Sequence, residues 1–220
     1  MYLHMRKIWF IFVVCGGSLT GGDLLAATLA HSSDFESGNK DGWQHPVVNG
    51  NQTSIQSDGP VNDILLVTSS GGSGAGSRLV VPNSTAAWTG NYSSAGITGV
   101  QMDLVNNSGS NLSIRVGIEG GSGGQKWISI MPVSLSPSNR GTFLFKLDSS
   151  SMSSPNGSNF AAALADVSQI RILHNPTAGD FKGAKVPGSF TVDNITLVPE
   201  PSSSTMILLA SSLLLIRRKK

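Results

Sequence analysis

The residue types that usually carry out catalysis are few in this chain, and they do not form a known catalytic set. The four histidines are scattered along the sequence, at His4, His31, His45 and His174. None of them belongs to an H-E-x-x-H motif or to a pair at i, i+4, the spacings that hold zinc on a helix. The sequence therefore gives no sign of a zinc-dependent enzyme.

Two other catalytic patterns are also weak. Gly120–Gly124 (GGSGG) satisfies G-x-S-x-G, but a nucleophile elbow lies on a strand-to-helix turn, whereas this loop separates two predicted strands. Glycoside cleavage needs a pair of facing carboxylates, and acids are sparse in a chain with only 13% charged residues. We therefore predict a protein that is not an enzyme, with no catalytic residues. A glycan-degrading enzyme with an unrecognised acid pair is the weaker alternative.

The net charge of +2 comes from the ends of the chain rather than from its centre. Six of the fifteen Lys and Arg residues lie at Arg6, Lys7 and Arg217–Lys220, which leaves nine in residues 31–198. The same stretch holds eleven of the thirteen acidic residues, so its net charge is −2. Nucleic-acid binding requires a basic patch on the domain, and we expect no nucleic-acid partner.

The N-terminus has the three parts of a secretory signal peptide. A basic region precedes the apolar run Ile8–Val14 (IWFIFVV), and small residues follow up to a cleavage site after Ala30 or, alternatively, after Ala27. Cleavage after Ala30 would remove Cys15, the only cysteine, so the mature chain would have no disulfide and no thiol nucleophile. We assign residues 1–30 to a signal helix, and an uncleaved N-terminal anchor is the alternative.

Residues 31–198 show the period of two that marks β-strands with one buried and one exposed face. Apolar and polar residues alternate in several short runs, namely Val100–Leu104, Leu112–Ile118, Phe143–Leu147 and Phe190–Ile195. In the second run the pattern places Arg115 and Glu119 toward solvent. In the last run it places Asn194 on the same face as Phe190 and Val192.

The segments between these runs indicate how the strands are connected. Trp127–Val133 is a further apolar strand, whose pairing Pro132 should end. Loops rich in Ser, Gly and Asn separate the strands, and only Asn159–Asp166 is typical of a helix. Many short strands with flexible turns predict an all-β fold, an antiparallel β-sandwich that occupies residues 31–198 as one domain.

The two ends of this domain carry motifs that resemble the galactose-binding-like jelly roll, the fold of many carbohydrate-binding modules. Ser32–Gln44 (SSDFESGNKDGWQ) opens the domain, and Ser189–Val198 (SFTVDNITLV) closes it. The resemblance implies first and last strands that lie side by side. It also implies a structural calcium ion that joins them, with Glu36 and Asp193 as side-chain ligands. Ordinary surface positions are the alternative for both acids.

Aromatic residues decide sugar binding in such modules, because a ring stacks on the apolar face of a pyranose. The resemblance therefore makes Trp88, Tyr92 and Trp127 the candidates for glycan stacking. Trp88 and Tyr92 lie in a polar loop, and we expect them to be the exposed pair; a loop Trp that caps the sandwich is the alternative. For Trp127, in an apolar strand, core packing is the stronger expectation. The fold by itself does not show that a sugar binds.

The chain ends in three consecutive parts. Pro199, Glu200 and Pro201 are followed by a short apolar stretch and then by the basic tail Arg217, Arg218, Lys219 and Lys220. The apolar stretch Met206–Ile216 would form a helix about 16 Å long, roughly half the hydrocarbon thickness of a bilayer. The cations would stay on the cytoplasmic side of the membrane. Such a segment suits a temporary anchor better than a permanent one.

This order, spacing and terminal position resemble the PEP-CTERM sorting signal of Gram-negative, biofilm-forming bacteria. The resemblance implies that residues 199–220 anchor the protein transiently in the inner membrane and are recognised by an exosortase, a membrane processing enzyme. It further implies loss of the tail and delivery to the cell envelope or the extracellular polysaccharide matrix. An ordinary short tail anchor is the alternative.

Together these features predict a non-enzymatic exported protein of the envelope or biofilm matrix, associated with exopolysaccharide. The alternative is a carbohydrate-binding module that recognises a glycan through exposed aromatic rings. An exposed pair of coplanar rings would favour the module, and two facing carboxylates in a cleft would favour an enzyme.

Overall fold

The computed structural model describes residues 31–44, 53–74 and 76–200. The predicted signal helix, the apolar C-terminal helix, Pro201 and the basic tail Arg217–Lys220 lie outside these residues. Pro199 is the last residue of the final strand, and the backbone N–H of Glu200 donates to the Gly96 carbonyl oxygen at 2.6 Å. The described fold therefore continues into the first residues of the predicted sorting motif.

Short strands dominate the described residues. In chain order they are β1 (Ser32–Ser33), β2 (Thr53–Ser57), β3 (Asp63–Ser70), β4 (Val80–Asn83), β5 (Ile97–Asn106), β6 (Leu112–Gly120), β7 (Gln125–Ser129), β8 (Val133–Leu135), β9 (Arg140–Lys146), β10 (Met152–Ser153), β11 (Val167–His174) and β12 (Pro187–Pro199). A 3-10 helix, Ala86–Trp88, lies between β4 and β5, and α1 (Phe160–Ala165) lies between β10 and β11.

The strands form two antiparallel sheets that pack face to face. In sheet 1 the strand order is β2-β3-β12-β5-β9, and β1 pairs with the second half of β12. In sheet 2 the order is β10-β7-β6-β11-β4, and β8 pairs with the first part of β6. Ser32 of β1 lies opposite Thr196 of β12, which confirms the adjacency of the terminal strands that the end motifs imply. The fold is an all-β antiparallel sandwich of the jelly-roll type, as predicted.

The predicted alternation places the apolar side chains of both sheets between them. One buried cluster includes Val100, Met102, Leu104, Phe190 and Val192 from sheet 1 and Leu112, Ile114, Val116, Ile118 and Ile172 from sheet 2. Burial of such side chains stabilises the fold by about 25 cal/mol for each Å² of apolar surface removed from water. The cluster confirms the inward faces of the predicted strands in β5 and β6.

The apolar run Trp127–Val133 forms two strands rather than one. β7 ends at Ser129 and β8 begins at Val133, so pairing stops before Pro132, as the missing N–H of proline predicts. The predicted helix is confirmed as α1. It begins after Asn159, whose side-chain oxygen accepts a hydrogen bond from the Ala162 backbone N–H at 3.0 Å.

A bulge in β12 changes which of its side chains face the core. Asn194 has φ = 49°, in the left-handed region, and the register with β5 shifts between Asp193 and Thr196. The extra residue leaves Asn194 exposed and turns Ile195 into the core. The prediction that Asn194 shares the core face with Val192 is therefore wrong, because strict alternation does not anticipate a bulge.

Arg115 is buried, although the pattern of β6 places it toward solvent. It lies on the outer face of sheet 2, and residues 175–186, which join β11 to β12 and which we name the cover segment, lie over it. The guanidinium donates hydrogen bonds at 2.5–3.0 Å to four backbone carbonyl oxygens, those of Ser129, Ile130, Asn175 and Pro176. The expectation of solvent exposure is wrong because the outer face of the sheet is covered.

Apolar contacts also hold the cover segment against sheet 2. The Phe181 ring packs on Gly117 of β6, where any Cβ atom would clash with it. Ala178 contacts a small apolar cluster of Val80, Ile128 and Leu173 on the same face. Within residues 31–44, 53–74 and 76–200, no helix is long and apolar enough to cross a membrane.

Candidate functional site

The outer face of sheet 1 holds an open groove with a volume of about 380 Å³. We name it the sheet 1 groove; its walls come from β5, β9 and β12 and from the β2–β3 hairpin. The lining side chains are mostly polar, namely Asp58, Asn62, Asp103, Arg140, Thr142, Thr191, Asp193 and Asn194, and Ile64 and Val105 are aliphatic. Its volume falls within the range of small-molecule pockets, about 300–1,000 Å³.

The centre of the groove is one hydrogen-bonded set of side chains. Asp103 of β5 lies directly opposite Asp193 of β12. The side-chain amide of Asn194 donates to Asp103 Oδ2 at 2.9 Å and to Asp193 Oδ2 at 3.3 Å. Thr142 Oγ1 donates to Asp103 Oδ1. The bulge in β12 brings Asn194 beside both carboxylates, since regular alternation would turn it to the other face.

The electrostatic surroundings of Asp193 favour its protonated form. Burial raises the pKa of Asp193 above the ordinary value for aspartate, and the nearby charges of Asp103 and Glu36 raise it further. Hydrogen bonds from the Asn194 backbone N–H, at 2.7 Å, and from the Asn62 side chain act in the opposite direction. The net direction is upward, so Asp193 holds a proton more readily in the folded chain than in the unfolded chain.

The groove offers partners for a ligand that carries many hydroxyl groups. Carboxylates accept hydrogen bonds from hydroxyl protons, while the guanidinium of Arg140 and the amide of Asn62 donate to hydroxyl oxygens. Half-buried Ile64 and Val105 add apolar surface beside these polar groups. A ligand with hydroxyl edges and C–H faces matches both kinds of surface.

Trp88 and Tyr92, the expected exposed pair, are fully buried. The Trp88 ring makes edge contacts with Trp43 and His31, at centroid distances of 4.9 and 5.1 Å. The Tyr92 hydroxyl donates to the Trp88 carbonyl oxygen at 2.7 Å, and burial raises its pKa. The expectation that this pair is exposed for stacking is wrong, because the polar loop folds its two rings into the core and leaves its small residues outside.

Trp127 also packs inside the protein rather than forming an exposed platform. Its ring contacts Phe160 of α1 edge to face, with centroids 4.9 Å apart, and it borders the main core. Its indole nitrogen is buried and has no hydrogen-bond partner among the described residues. Trp127 is partly buried, and its position against the core is closer to the core packing expected for it than to an exposed platform.

The two predicted calcium ligands lie near each other, but they form an incomplete shell. Glu36 is close enough to raise the pKa of Asp193, and its Oε1 accepts a hydrogen bond from the Asp63 backbone N–H at 3.2 Å. Within the described part of the chain, no three His, Cys, Asp or Glu side chains are grouped so that they could hold a metal ion. Calcium takes about six to eight oxygen ligands, so most would have to come from other atoms. The calcium ion stays a prediction.

Of the groove residues, only Asp193 is identifiable from the sequence motifs. Asp103 carries one signal, since it is an acid at an outward position of a predicted strand. Thr142 and Arg140 carry none. Their meeting depends on the order β12-β5-β9, which joins strands that are far apart in the sequence.

No protein-family model matches the sequence, and no curated protein matches it. Solved structures do share its fold. The structure of an exo-β-agarase has a TM-score of 0.55 over 78% of this chain, at 12% sequence identity. This chain covers 26% of that agarase chain, so the likeness concerns one part of a larger protein. The comparison shows the fold and agrees with the jelly-roll sandwich described above.

Two structures of carbohydrate-binding modules are also similar to this chain. The family 11 module from Clostridium thermocellum, in complex with a β-1,3-1,4-mixed-linked tetrasaccharide, has a TM-score of 0.48 and 17% identity, covering 77% of this chain and 95% of that one. The CBM22 tandem domain from Paenibacillus barcinonensis Xyn10C has a TM-score of 0.48 and 12% identity, covering 83% of this chain and 48% of that one.

Proposed function

We propose that the folded domain is a non-catalytic glycan-binding domain and that the sheet 1 groove is its binding site. The observation that carries the proposal is the groove itself, an open cavity of about 380 Å³ with convergent carboxylate, amide, hydroxyl and guanidinium groups beside aliphatic side chains. A pocket with a few placed polar groups and a perturbed carboxyl is the default binding-site hypothesis.

The manner of binding differs from the stacking that the sequence predicts. Trp88 and Tyr92 are buried, so we assign recognition to hydrogen bonds that Arg140 donates to the ligand and that Asp103 accepts from it. The Asn194 bridge fixes the two carboxylates before a ligand arrives, which lowers the ordering cost of binding. Because a sandwich of the same fold forms part of an exo-β-agarase, galactans are among the first glycans to test.

We also propose that the protein is exported and sorted through its tail. The N-terminal signal pattern and the terminal order of Pro199, Glu200, Pro201, apolar stretch and basic cluster support this. An exosortase would remove the tail after transient anchoring in the inner membrane. The glycan-binding domain would then act at the cell envelope or in the matrix of a Gram-negative bacterium, with exopolysaccharide as its ligand.

A glycan array tests the binding proposal. The full-length chain in mild detergent is applied to neutral oligosaccharides that include agarose and mixed-linked glucan fragments. We expect binding that falls about fivefold or more in Arg140→Met and in Asp103→Asn, a loss of about 1 kcal/mol. Lys146→Met is the matched control, because Lys146 is an exposed cation on the same strand that does not line the groove. Absence of binding, or equal binding by all variants, would overturn the proposal.

The facing carboxylates favour glycoside hydrolysis as a second candidate function. Asp103 and Asp193 lie opposite each other in an open groove, and Asp193 has the raised pKa expected of a general acid. However, both carboxylates share one donor, the Asn194 amide, which lies where a scissile bond would have to enter. We therefore expect no release of reducing ends from any bound glycan. If the wild type releases reducing ends and Asp103→Asn does not, the protein is a glycoside hydrolase instead.

Intact-mass measurement tests the sorting proposal. Mature protein recovered from the surface of the native host should lack everything beyond about Pro201. Mature surface protein that still carries Arg217–Lys220 would contradict the sorting proposal and leave a tail anchor.

A further inference from the structure

A second concave site lies at the edge of sheet 2, away from the sheet 1 groove. It has a volume of about 270 Å³, and Arg78, Arg171 and Lys182 line it together with Val80. The three cations come from separate segments, since Arg78 precedes β4, Arg171 lies on β11 and Lys182 belongs to the cover segment. None of them lines the sheet 1 groove. Folding therefore brings distant cations to one cavity.

The surroundings leave this site with an excess of positive charge. Asp180 Oδ2 lies 3.5 Å from Arg78 NH1, and Glu119 Oε2 lies 4.0 Å from Arg171 NH2. Glu119 is shared with Lys126, whose Nζ lies 3.8 Å from Oε1. Among the described residues that line the cavity, Arg78, Arg171 and Lys182 are cations and none is an acid. This excess stands out because residues 31–198 carry a net charge of −2.

Arg171 is fixed in place without a ligand. Its guanidinium carbon lies 4.5 Å from the centre of the Phe181 ring, NH1 donates to the Phe181 carbonyl oxygen at 3.1 Å, and Nε donates to Gln169 Oε1. Its NH2 group makes no hydrogen bond to the described residues, since Glu119 is too distant. Burial lowers the pKa of Arg171, and Glu119 acts against this shift. A guanidinium held this way presents its remaining donors to an oxyanion.

The other two cations complete the site from different directions. Arg78 NH1 donates to the Gly183 carbonyl oxygen at 3.2 Å, which ties it to the cover segment. The Lys182 side chain is exposed and makes no hydrogen bond or ion pair with the described residues. One pre-positioned guanidinium and one exposed ammonium can thus approach the same anionic group.

We propose that Arg78, Arg171 and Lys182 form an anion site for an acidic group, a carboxylate or a sulfate, carried on a polysaccharide. The inference rests on the proposed glycan-binding function and adds a second contact, which would select acidic over neutral chains. A nucleic acid fits poorly, since it gains affinity from many phosphate contacts along a basic surface. A lipid surface also fits poorly, because polybasic clusters act on membranes from the surface, whereas these cations surround a cavity.

Isothermal titration with the full-length chain in mild detergent tests the site. The probes are tetragalacturonate, its methyl-esterified neutral form and a sulfated agaro-oligosaccharide, at low and at physiological salt. We expect at least one acidic probe to bind about tenfold more tightly than the neutral form at low salt. The preference should shrink as salt increases. Tetragalacturonate and the sulfated probe distinguish carboxylate from sulfate as the group bound.

Matched variants locate the binding. Lys182→Ser should weaken binding of the preferred acidic probe about three- to fivefold and leave the neutral probe unchanged. Arg171→Lys keeps the charge but loses the planar fork, and it should also weaken acidic binding. Lys185→Ser is the control, because Lys185 is an exposed cation of the same segment that does not line the site. Equal loss in Lys182→Ser and Lys185→Ser would overturn the proposal.

The outcomes separate this inference from the proposed function. Neutral and acidic probes that bind equally, with both affinities reduced in Arg140→Met, would leave the sheet 1 groove standing and overturn the anion site. If an acidic probe still binds Arg140→Met but no longer binds Arg171→Lys, the anion site is supported. This holds even if Arg140→Met also binds the neutral probe as well as the wild type does. If no probe binds, the anion site is overturned, and the glycan array decides the sheet 1 groove separately.

Discussion

The two outer faces of the sandwich are both built from alternating strands, but they differ in their exposure to solvent. The outer face of sheet 1 is open, and Asp103, Thr142 and Asn194 line a groove on it. The outer face of sheet 2 lies under the cover segment, so that Arg115 is only 3% exposed and Phe181 only 4% exposed. The difference arises from the connection between β11 and β12, which folds back over β6.

The comparison shows what an alternating pattern can and cannot state. A period of two says that a side chain points away from the core, but it does not say whether water or protein lies beyond. A polar residue can be buried there only if it finds hydrogen-bond partners, and Arg115 finds four carbonyl oxygens. On the outer face of sheet 1, Thr142 and Asn194 are exposed and Asp103 is half-buried, which makes them available to a ligand, whereas Thr191 and Asp193 are buried.

The largest expected loss of stability comes from a substitution on the covered face. Arg115→Met removes the donors for four carbonyl oxygens and should lower the free energy of unfolding by about 3 kcal/mol. Arg140→Met, at an exposed outward position of sheet 1, should cost less than about 1 kcal/mol. Urea denaturation of both variants measures the difference. Equal costs would mean that the cover segment does not depend on Arg115 and that the two faces are alike.

An intermediate effect is expected at the bulge that shapes the open face. Asn194→Val places a β-branched residue at a positive φ and removes the amide between Asp103 and Asp193. The strain should cost about 1–3 kcal/mol. Asn194→Gly, the matched variant, permits the backbone angle and loses only the bridge, so it should be less damaging in urea denaturation. If valine proved no worse than glycine, the backbone strain at this position would be refuted.

The smallest effect concerns Asp193 and decides between a metal ligand and a buried acid. The raised pKa means that stability is full below the ordinary aspartate range and decreases as pH rises through the raised value. Without calcium, Asp193→Asn should therefore increase the melting temperature at neutral pH by no more than about 2–4 °C. This gain should vanish in acid, where Asp193 is protonated in both states.

If Glu36 and Asp193 bind calcium, then in the presence of calcium Asp193→Asn should lower the melting temperature rather than raise it. The ion would then stabilise the wild type by mass action, chelator would lower its melting temperature, and Asp193→Asn would lose the response. Identical melting curves with calcium and with chelator would leave Asp193 as a buried acid and Glu36 as a surface residue, and would exclude calcium from this end of the sandwich.

Much of the fold could be predicted from the sequence because local patterns determine it. The inward side chains of β5 and β6 follow from their alternation, and α1 lies within the stretch Asn159–Asp166 that is typical of a helix. Two features escaped this reasoning. The bulge at Asn194 has no local signal, and the burial of Arg115 depends on a connection that returns from about 60 residues away.

Less of the candidate site could be predicted, because its residues meet only through the order of the strands. Asp103 and Asp193 are 90 positions apart in the sequence and lie directly opposite in the sheet. The predicted exposure of Trp88 and Tyr92 was wrong for a different reason. A polar loop suggests exposure, yet the short loop around Trp88 and Tyr92 turns its large rings inward, where their burial stabilises the sandwich.

The central claim is that a neutral glycan binds to the open face and not to the covered one. Backbone amide NMR spectra of the nitrogen-labelled full-length chain, titrated with neutral agarotetraose and with a mixed-linked glucan tetrasaccharide, test this most directly. The account predicts that the largest shifts occur at Asp103, Thr142 and Asn194 and that the amides of the cover segment stay unchanged. Shifts confined to the cover segment, or no shifts with either sugar, would contradict it.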